Sequence, residues 1–170
     1  MATHFKLFLL FLISTQIGWS QTPLTFKFCE TTYSFNAELV KADTSSYKGT
    51  ILDILTEYIE ITSDSVIYHY VSLSKLTPPE NNGHYTRTTI AIKDIKATDI
   101  NISKTKSGAT LWLYHHKNGK NDSILSNLIK VKTYFCHDTK NDIRPSIFIE
   151  FESVELAKTY HKKIRKLAGL

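Results

Sequence analysis

The sequence predicts an α+β domain that is mainly antiparallel β, as a bent barrel or a sandwich, with an amphipathic helix at its C-terminal end. Three observations indicate this class. Short segments rich in β-branched and aromatic residues recur along the chain. Turn-forming residues separate these segments at short intervals. The last apolar residues instead recur at the 3.6-residue spacing of a helix.

The strands are predicted in order from alternation and turn signals. Alternating apolar and polar residues predict a strand over 33–40, and the turn Ser63-Asp64-Ser65 precedes a strand over 66–73. Loops are expected over 75–87 and 137–145. The remaining predicted strands lie at 88–92, 97–103, 109–115, 130–135 and 146–151.

Two segments favour helices instead. Apolar residues at helical spacing predict a helix over 51–58, although residues 58–62 also suit a strand that pairs with the one after Asp64. A second, shorter helix is expected over 124–129.

The C-terminal helix, about 154–168, has the most complete set of signals. The Ser153 hydroxyl suits an N-cap, and Gly169 suits the position just beyond the helix. Tyr160 is the largest residue of the apolar stripe. The stripe consists of Leu156, Ala157, Tyr160, Ile164, Leu167 and Ala168.

The first 20 residues have the pattern of a signal peptide. Lys6 precedes an unbroken apolar run over 7–13, and Gly18 and Ser20 place small side chains before a cut at Gln21. The alternative, an uncleaved anchor, needs roughly 20 apolar residues. We therefore expect export to a periplasm or the extracellular space, with residues 21–170 as a single domain.

Charge and cysteine content narrow the function classes. Removing the signal lowers the formal net charge of +5 by one, which is mild for a nucleic-acid binder, and export also argues against nucleic acid as a partner. Cys29 and Cys136 either pair in an oxidising compartment or remain two separate buried thiols. The sequence leaves both alternatives open.

The order of many short strands followed by one amphipathic helix, over 58–151 and 154–168, resembles the pleckstrin-homology-like architecture. That resemblance implies a bent barrel closed at one end by the helix. Lipid-binding members carry basic residues in the first hairpin, whereas 57–72 contains no Lys or Arg. The family helix often presents a Trp to the barrel, and Tyr160 takes that place here. The resemblance therefore implies the architecture without phosphoinositide binding.

The sequence contains no recognisable catalytic or metal-binding motif. The adjacent Cys136, His137 and Asp138 would point to alternating sides of an extended chain, which opposes a catalytic arrangement. His115 and His116 lack a spaced third ligand. We assign Glu150 and Glu152 to the solvated face of an edge strand. The sequence predicts no enzyme, metal or cofactor.

Two surfaces are candidates for partner binding. Tyr85 and Arg87, in the loop expected over 75–87, are residue types favoured at binding hot spots, although a long loop can also be merely mobile. Lys158, Lys162 and Lys166 lie on the outer face of the helix, where they either contact an anionic surface or are simply solvated.

These observations predict a small exported, non-enzymatic binding or interaction module whose partner is a protein or a glycan. One alternative is a peripheral envelope protein in weak contact with anionic membrane surfaces through its basic helix. Another is an enzyme whose site residues converge from distant positions and are not visible in the sequence.

Overall fold

The computed structural model describes residues 23–47, 50–74, 83–95, 100–114, 129–144 and 146–170. The expected signal peptide lies outside these residues. Helix α1 is Val154–Leu167, and a short 3₁₀ turn spans Ile92–Asp94. The strands are β1 Leu24–Phe28, β2 Thr31–Phe35, β3 Glu38–Tyr47, β4 Thr50–Ile61, β5 Ser65–Ser74, β6 His84–Ala91, β7 Ile100–Lys104, β8 Ala109–Tyr114, β9 Ile129–Tyr134, β10 Thr139–Arg144 and β11 Ser146–Phe151.

The strands form three antiparallel sheets. A six-stranded sheet has the order β10-β9-β6-β5-β4-β3, a three-stranded sheet has the order β11-β8-β7, and β1 pairs with β2 as a hairpin. The predicted class, mainly antiparallel β with a C-terminal helix, is confirmed. Over the described residues the sheets remain open, so the barrel form of that prediction is not found there.

One face of the six-stranded sheet packs against the three-stranded sheet and α1. Its side chains alternate along each strand, so that Ile59 of β4 and Val66 of β5 enter the same apolar core as Leu111 and Ile149. Ile164 of α1, fully buried, joins this core. The two sheets and the helix therefore enclose the main core of the described chain.

The β1–β2 hairpin covers the opposite face of the six-stranded sheet. Phe28 and Phe35 form a second core with Tyr58, Val71 and Tyr85. A disulfide ties the hairpin to this face, joining its turn to the turn between β9 and β10. Cys29 and Cys136 are the bonded residues, with Cα atoms 5.4 Å apart.

Helix α1 has the ends and the buried side that its sequence predicts. The backbone N–H of Leu156 donates to the Ser153 hydroxyl, and Gly169 takes a φ of +72° just beyond the helix. Ala157, Tyr160 and Ile164 are its buried residues. No helix in the described part of the chain is long and apolar enough to cross a bilayer.

The helix predicted over 51–58 is wrong, because this segment lies in strand β4. Both faces of β4 are covered: Tyr58 packs under the hairpin while its neighbour Ile59 packs in the main core. A strand buried on both faces carries consecutive apolar residues, and part of that run falls at helical spacing.

Other segment boundaries also differ from the predictions. The strand expected over 33–40 breaks after Phe35, where the hairpin ends and β3 begins. The loop expected over 137–145 contains β10, whose six residues are all exposed and so lack any apolar alternation. Ile129, expected at the end of a helix, begins β9, and residues 124–128 lie outside the described residues.

Candidate ligand-binding site

The two larger sheets meet along strands β3 and β11, each at the edge of its own sheet. Side chains bridge these edges. Lys41 of β3 forms an ion pair with Glu150 of β11. The Ala42 backbone N–H donates to Glu152 Oε1 at 3.4 Å. Glu57 of β4 accepts from the backbone N–H of Glu150. We call this boundary the seam.

A cavity of about 340 Å³ lies at the seam, against the core-facing side of the six-stranded sheet. Pairing of the central strands places its residues together, because Tyr70 lies opposite Glu57 on one neighbour and Thr86 on the other. The polar residues that bear on binding are Lys41, Glu57, Tyr68, Tyr70, His84, Thr86, Thr88, Arg144 and Glu150.

Glu57 is the most deeply buried ionisable group of this cavity, with 6% of its surface exposed. It accepts a hydrogen bond from the Tyr68 hydroxyl. Its Oε2 atom is buried and has no hydrogen-bond partner among the described residues. Burial raises the pKa of Glu57, and the Tyr68 hydrogen bond and the Lys41 charge offset that effect in part. The cavity therefore contains an unsatisfied acceptor.

Aromatic rings form a second part of the cavity lining. Tyr70 stacks with His84 at a ring-centroid distance of 5.5 Å. Burial lowers the pKa of His84, so its imidazole is uncharged at neutral pH. Burial, followed by the charge of Glu57, raises the pKa of Tyr68, so its hydroxyl keeps its proton and donates to Glu57.

More exposed groups complete the cavity on the β10–β11 side. Arg144, at the end of β10, lies 3.7 Å from Asp142 through its Nε atom. Phe148 of β11 is 55% exposed and packs beside Trp112, with ring centroids 5.5 Å apart. The cavity thus combines a buried carboxylate with a half-exposed cationic and aromatic side.

A separate polar cluster lies beneath the hairpin. The Tyr85 hydroxyl donates to His69 Nδ1 at 2.7 Å, and His69 Nε2 donates to Glu60 at 3.3 Å. The Phe35 ring stacks on His69 at 3.9 Å. Burial, and then the Arg87 charge, lowers the pKa of His69 to about 3. This neutral, stacked imidazole holds the hairpin against the sheet.

The residues proposed from the sequence for partner binding do not form one site. Tyr85 and Arg87 were expected in a loop, but both lie in strand β6. Tyr85 is 3% exposed because the hairpin covers it, so its proposed surface role is incompatible with this packing. Arg87, two residues further along the same strand, is exposed. Both remain separate from the exposed Lys158, Lys162 and Lys166 of α1.

Lys41 and Glu57 were not among the site residues predicted from the sequence. Glu150 lies on an edge strand, β11, as predicted, and its half-exposed side chain also pairs with Lys41. The segment that forms β4 contains three acidic residues, Asp53, Glu57 and Glu60, and nothing local distinguishes Glu57 from the other two. The place of Glu57 in the cavity depends on its contact with Glu150 of β11, which is distant in sequence.

The described residues contain no group of three or more His, Cys, Asp or Glu side chains placed to hold a metal ion. Comparisons with protein-family models, curated proteins and solved structures find no match to this chain. The function of this protein is therefore inferred from the cavity and the surfaces described above.

Proposed function

We propose that the protein is an exported, non-enzymatic binding module that holds a small polar ligand in the seam cavity. The observation that carries this proposal is the buried Oε2 atom of Glu57, which has no hydrogen-bond partner in the described chain. A buried polar atom without a partner typically costs about 1–3 kcal/mol. A ligand that donates to Glu57 would remove that cost.

The dimensions and composition of the cavity support this proposal. Small-molecule sites range from about 300 to 1,000 Å³ and combine apolar walls with a few convergent polar groups. The seam cavity, at about 340 Å³, lies at the lower end of this range. The aromatic rings provide the apolar walls, and the buried carboxylate provides a polar group. A cavity of this size and composition therefore suits a small ligand better than a protein segment.

Other observations favour binding over catalysis and support export. The Cys136 thiol is committed to the disulfide, and the His69–Glu60 pair is packed beneath Phe35, outside the cavity. A disulfide across the domain is typical of proteins in oxidising compartments. These features fit an exported binding domain with a covalently fixed hairpin.

A filled-cavity variant tests the proposal. Thr86 is buried in the cavity lining, so Thr86→Trp places a large ring in the ligand space. The purified protein is incubated with small molecules extracted from the culture medium or extracellular fluid of its source. The compounds that the protein retains are then identified by mass spectrometry. We expect a compound retained by the wild type and lost in Thr86→Trp.

Two controls make this test specific. Thr139→Trp adds the same ring on the exposed strand β10 and should retain the compound. Thr88→Met fills the same cavity with a smaller side chain, in case Thr86→Trp fails to fold. Equal retention by the wild type and a folded cavity variant would contradict the proposal. Conversion of the retained compound would instead favour an enzyme.

A second candidate function is contact with an anionic membrane surface through α1. Lys158, Lys162 and Lys166 recur every four residues and are exposed. Lys158 pairs with Glu155 at 2.8 Å, which leaves the C-terminal part of the stripe more strongly basic. Leu167 and Leu170, each 42% exposed, lie at that same end. Cationic residues beside exposed apolar ones favour an interfacial helix.

Vesicle binding tests this second function. The double variant Lys162→Glu/Lys166→Glu should lose salt-sensitive binding to vesicles of phosphatidylglycerol and phosphatidylcholine. The control Lys130→Glu/Lys140→Glu makes the same charge change on exposed residues of β9 and β10. Equal losses in both variants would indicate a net-charge effect and reject the helix as the contact surface.

A further inference from the structure

We propose that the seam cavity recognises a primary ammonium group on a small organic ligand, with Glu57 as the carboxylate that receives it. This inference rests on the proposed binding function and assigns the chemical class of its ligand. The buried position of Glu57, the charges around it and the rings beside it each support that assignment.

Glu57 has one hydrogen-bond acceptor that is not used within the described chain. The Tyr68 hydroxyl and the Glu150 backbone N–H already donate to its carboxyl group. The remaining oxygen, Oε2, is buried without a partner in the described chain. The terminal torsion of a Glu side chain is broad, so a small rotation turns this oxygen toward the cavity that Glu57 lines. A ligand N–H would fill the unused acceptor.

The charges around Glu57 favour a cationic ligand. Lys41 and Glu150 neutralise one another through their ion pair. Arg144 lies on the more exposed side, with Asp142 beside it. Among the described residues Glu57 has no ion-pair partner of its own, and the nearby Lys41 charge is shared with Glu150. A cationic donor satisfies both its charge and its free oxygen, whereas a neutral hydroxyl satisfies only the oxygen.

The aromatic rings that line the cavity also favour a cationic ligand. Tyr70 and the uncharged ring of His84 stack beside one another, and Tyr68 adds a third ring. Aromatic faces attract a nearby cation and present no competing positive charge. A quaternary ammonium would gain this attraction, but it has no N–H for Oε2. The free oxygen therefore favours a primary ammonium over a quaternary one.

Three matched probes separate these properties: n-butylammonium, tetramethylammonium and 1-butanol. The first has both charge and N–H donors, the second has only charge, and the third has only a donor. Dissociation constants are measured by amide chemical shifts in the ¹⁵N-labelled, disulfide-intact protein at neutral pH. We expect n-butylammonium to bind at least tenfold more tightly than the other two probes.

Two carboxylate variants locate the binding site. Glu57→Gln should weaken n-butylammonium binding at least tenfold, because hydrogen bonds between charged partners are much stronger than those to a neutral amide. Glu30→Gln makes the same charge change at an exposed residue of the β1–β2 turn, outside the cavity lining, and should change the affinity less than twofold. Glu57→Asp retains a carboxylate and should recover part of the affinity lost in Glu57→Gln.

The outcomes distinguish this inference from the proposed function. Equal affinity for the three probes, or unchanged binding by folded Glu57→Gln, overturns the ammonium assignment. Retention of a neutral or anionic compound that Thr86→Trp abolishes also overturns it, while leaving the binding function in place. If no compound is lost in a folded cavity variant, the binding function fails and the ammonium assignment fails with it.

Discussion

Lys41 and Glu150 form an ion pair across the seam, although 109 residues separate them in sequence. Their strands, β3 and β11, belong to different sheets, so side chains make the connection that a backbone ladder makes elsewhere. The Glu150 hydrogen bond raises the pKa of Lys41, which therefore remains charged over the physiological range. This pair places two charged groups beside the carboxylate of Glu57.

The Lys41–Glu150 pair should make a modest contribution to stability. Both side chains are partly exposed, at 28% and 46%, so water screens their attraction. A double-mutant cycle with Lys41→Met and Glu150→Gln should give a coupling of about 0.5–1 kcal/mol that falls in 1 M salt. The matched cycle on the more exposed Glu155 and Lys158 should give a smaller value. A larger coupling at the exposed pair would contradict this ranking.

Replacing Glu57 by Gln should stabilise the protein more at pH 8 than at pH 4. Burial raises the pKa of Glu57 above 4.5, so the folded state binds its proton more tightly than the unfolded state does. Ionisation therefore lowers stability as pH rises through that raised pKa. Urea unfolding of wild type and Glu57→Gln at both pH values measures the difference, with the same substitution at the exposed Glu30 as the control. A pH-independent difference would reject a raised pKa for Glu57.

His69 should make the fold sensitive to acid. Its folded pKa of about 3 lies below the ordinary 6.5, so its neutral form favours folding, and this contribution is lost as pH falls between those values. Within that window the loss is about 1.4 kcal/mol per pH unit. His69→Gln should be less stable at pH 7, because it loses the stack on Phe35, yet show a shallower pH dependence.

The exposed His137 provides the control for His69. His137→Gln removes an exposed histidine from the turn beside Cys136, so the acid slope of His69→Gln is compared with the slope of this variant. The partly buried His84 and His161 also have lowered pKa values, so His69→Gln should retain part of the slope. An unchanged slope in His69→Gln would mean that His69 is not the main acid-sensitive group.

Loss of the disulfide should destabilise the hairpin and the sheet together. The bond links residues 107 positions apart, and closing a loop of that length contributes about 4–5 kcal/mol on the chain-entropy model. Cys29→Ser/Cys136→Ser, compared with wild type by urea unfolding, measures this contribution. A loss below about 1 kcal/mol would show that the aromatic packing of Phe28 and Phe35 holds the hairpin without the bond.

Local signals predicted the elements that have one buried face. Strand β11 and helix α1 lie at or close to their expected positions because alternation in the first and a stripe with an N-cap in the second reflect a single covered side. Strand β4 was missed because the hairpin covers its second face, and β10 because neither of its faces is covered. Local sequence patterns do not contain that information.

The seam cavity was not predictable for a related reason. Lys41, Glu57 and Glu150 are unremarkable as single residues, and they meet only because β4 pairs with β3 while β11 packs at the edge of a different sheet. The basic stripe on α1, in contrast, was predictable because it depends on helical periodicity alone. Its role on a membrane stays a prediction.

The most direct test of the ammonium assignment is a crystal structure of the disulfide-intact protein grown with n-butylammonium. We expect its nitrogen within hydrogen-bond distance of Glu57 Oε2, with the alkyl chain against Tyr70 and His84. A saturated crystal in which the probe is absent from the seam cavity, or lies there with its nitrogen directed away from Glu57, would contradict this assignment.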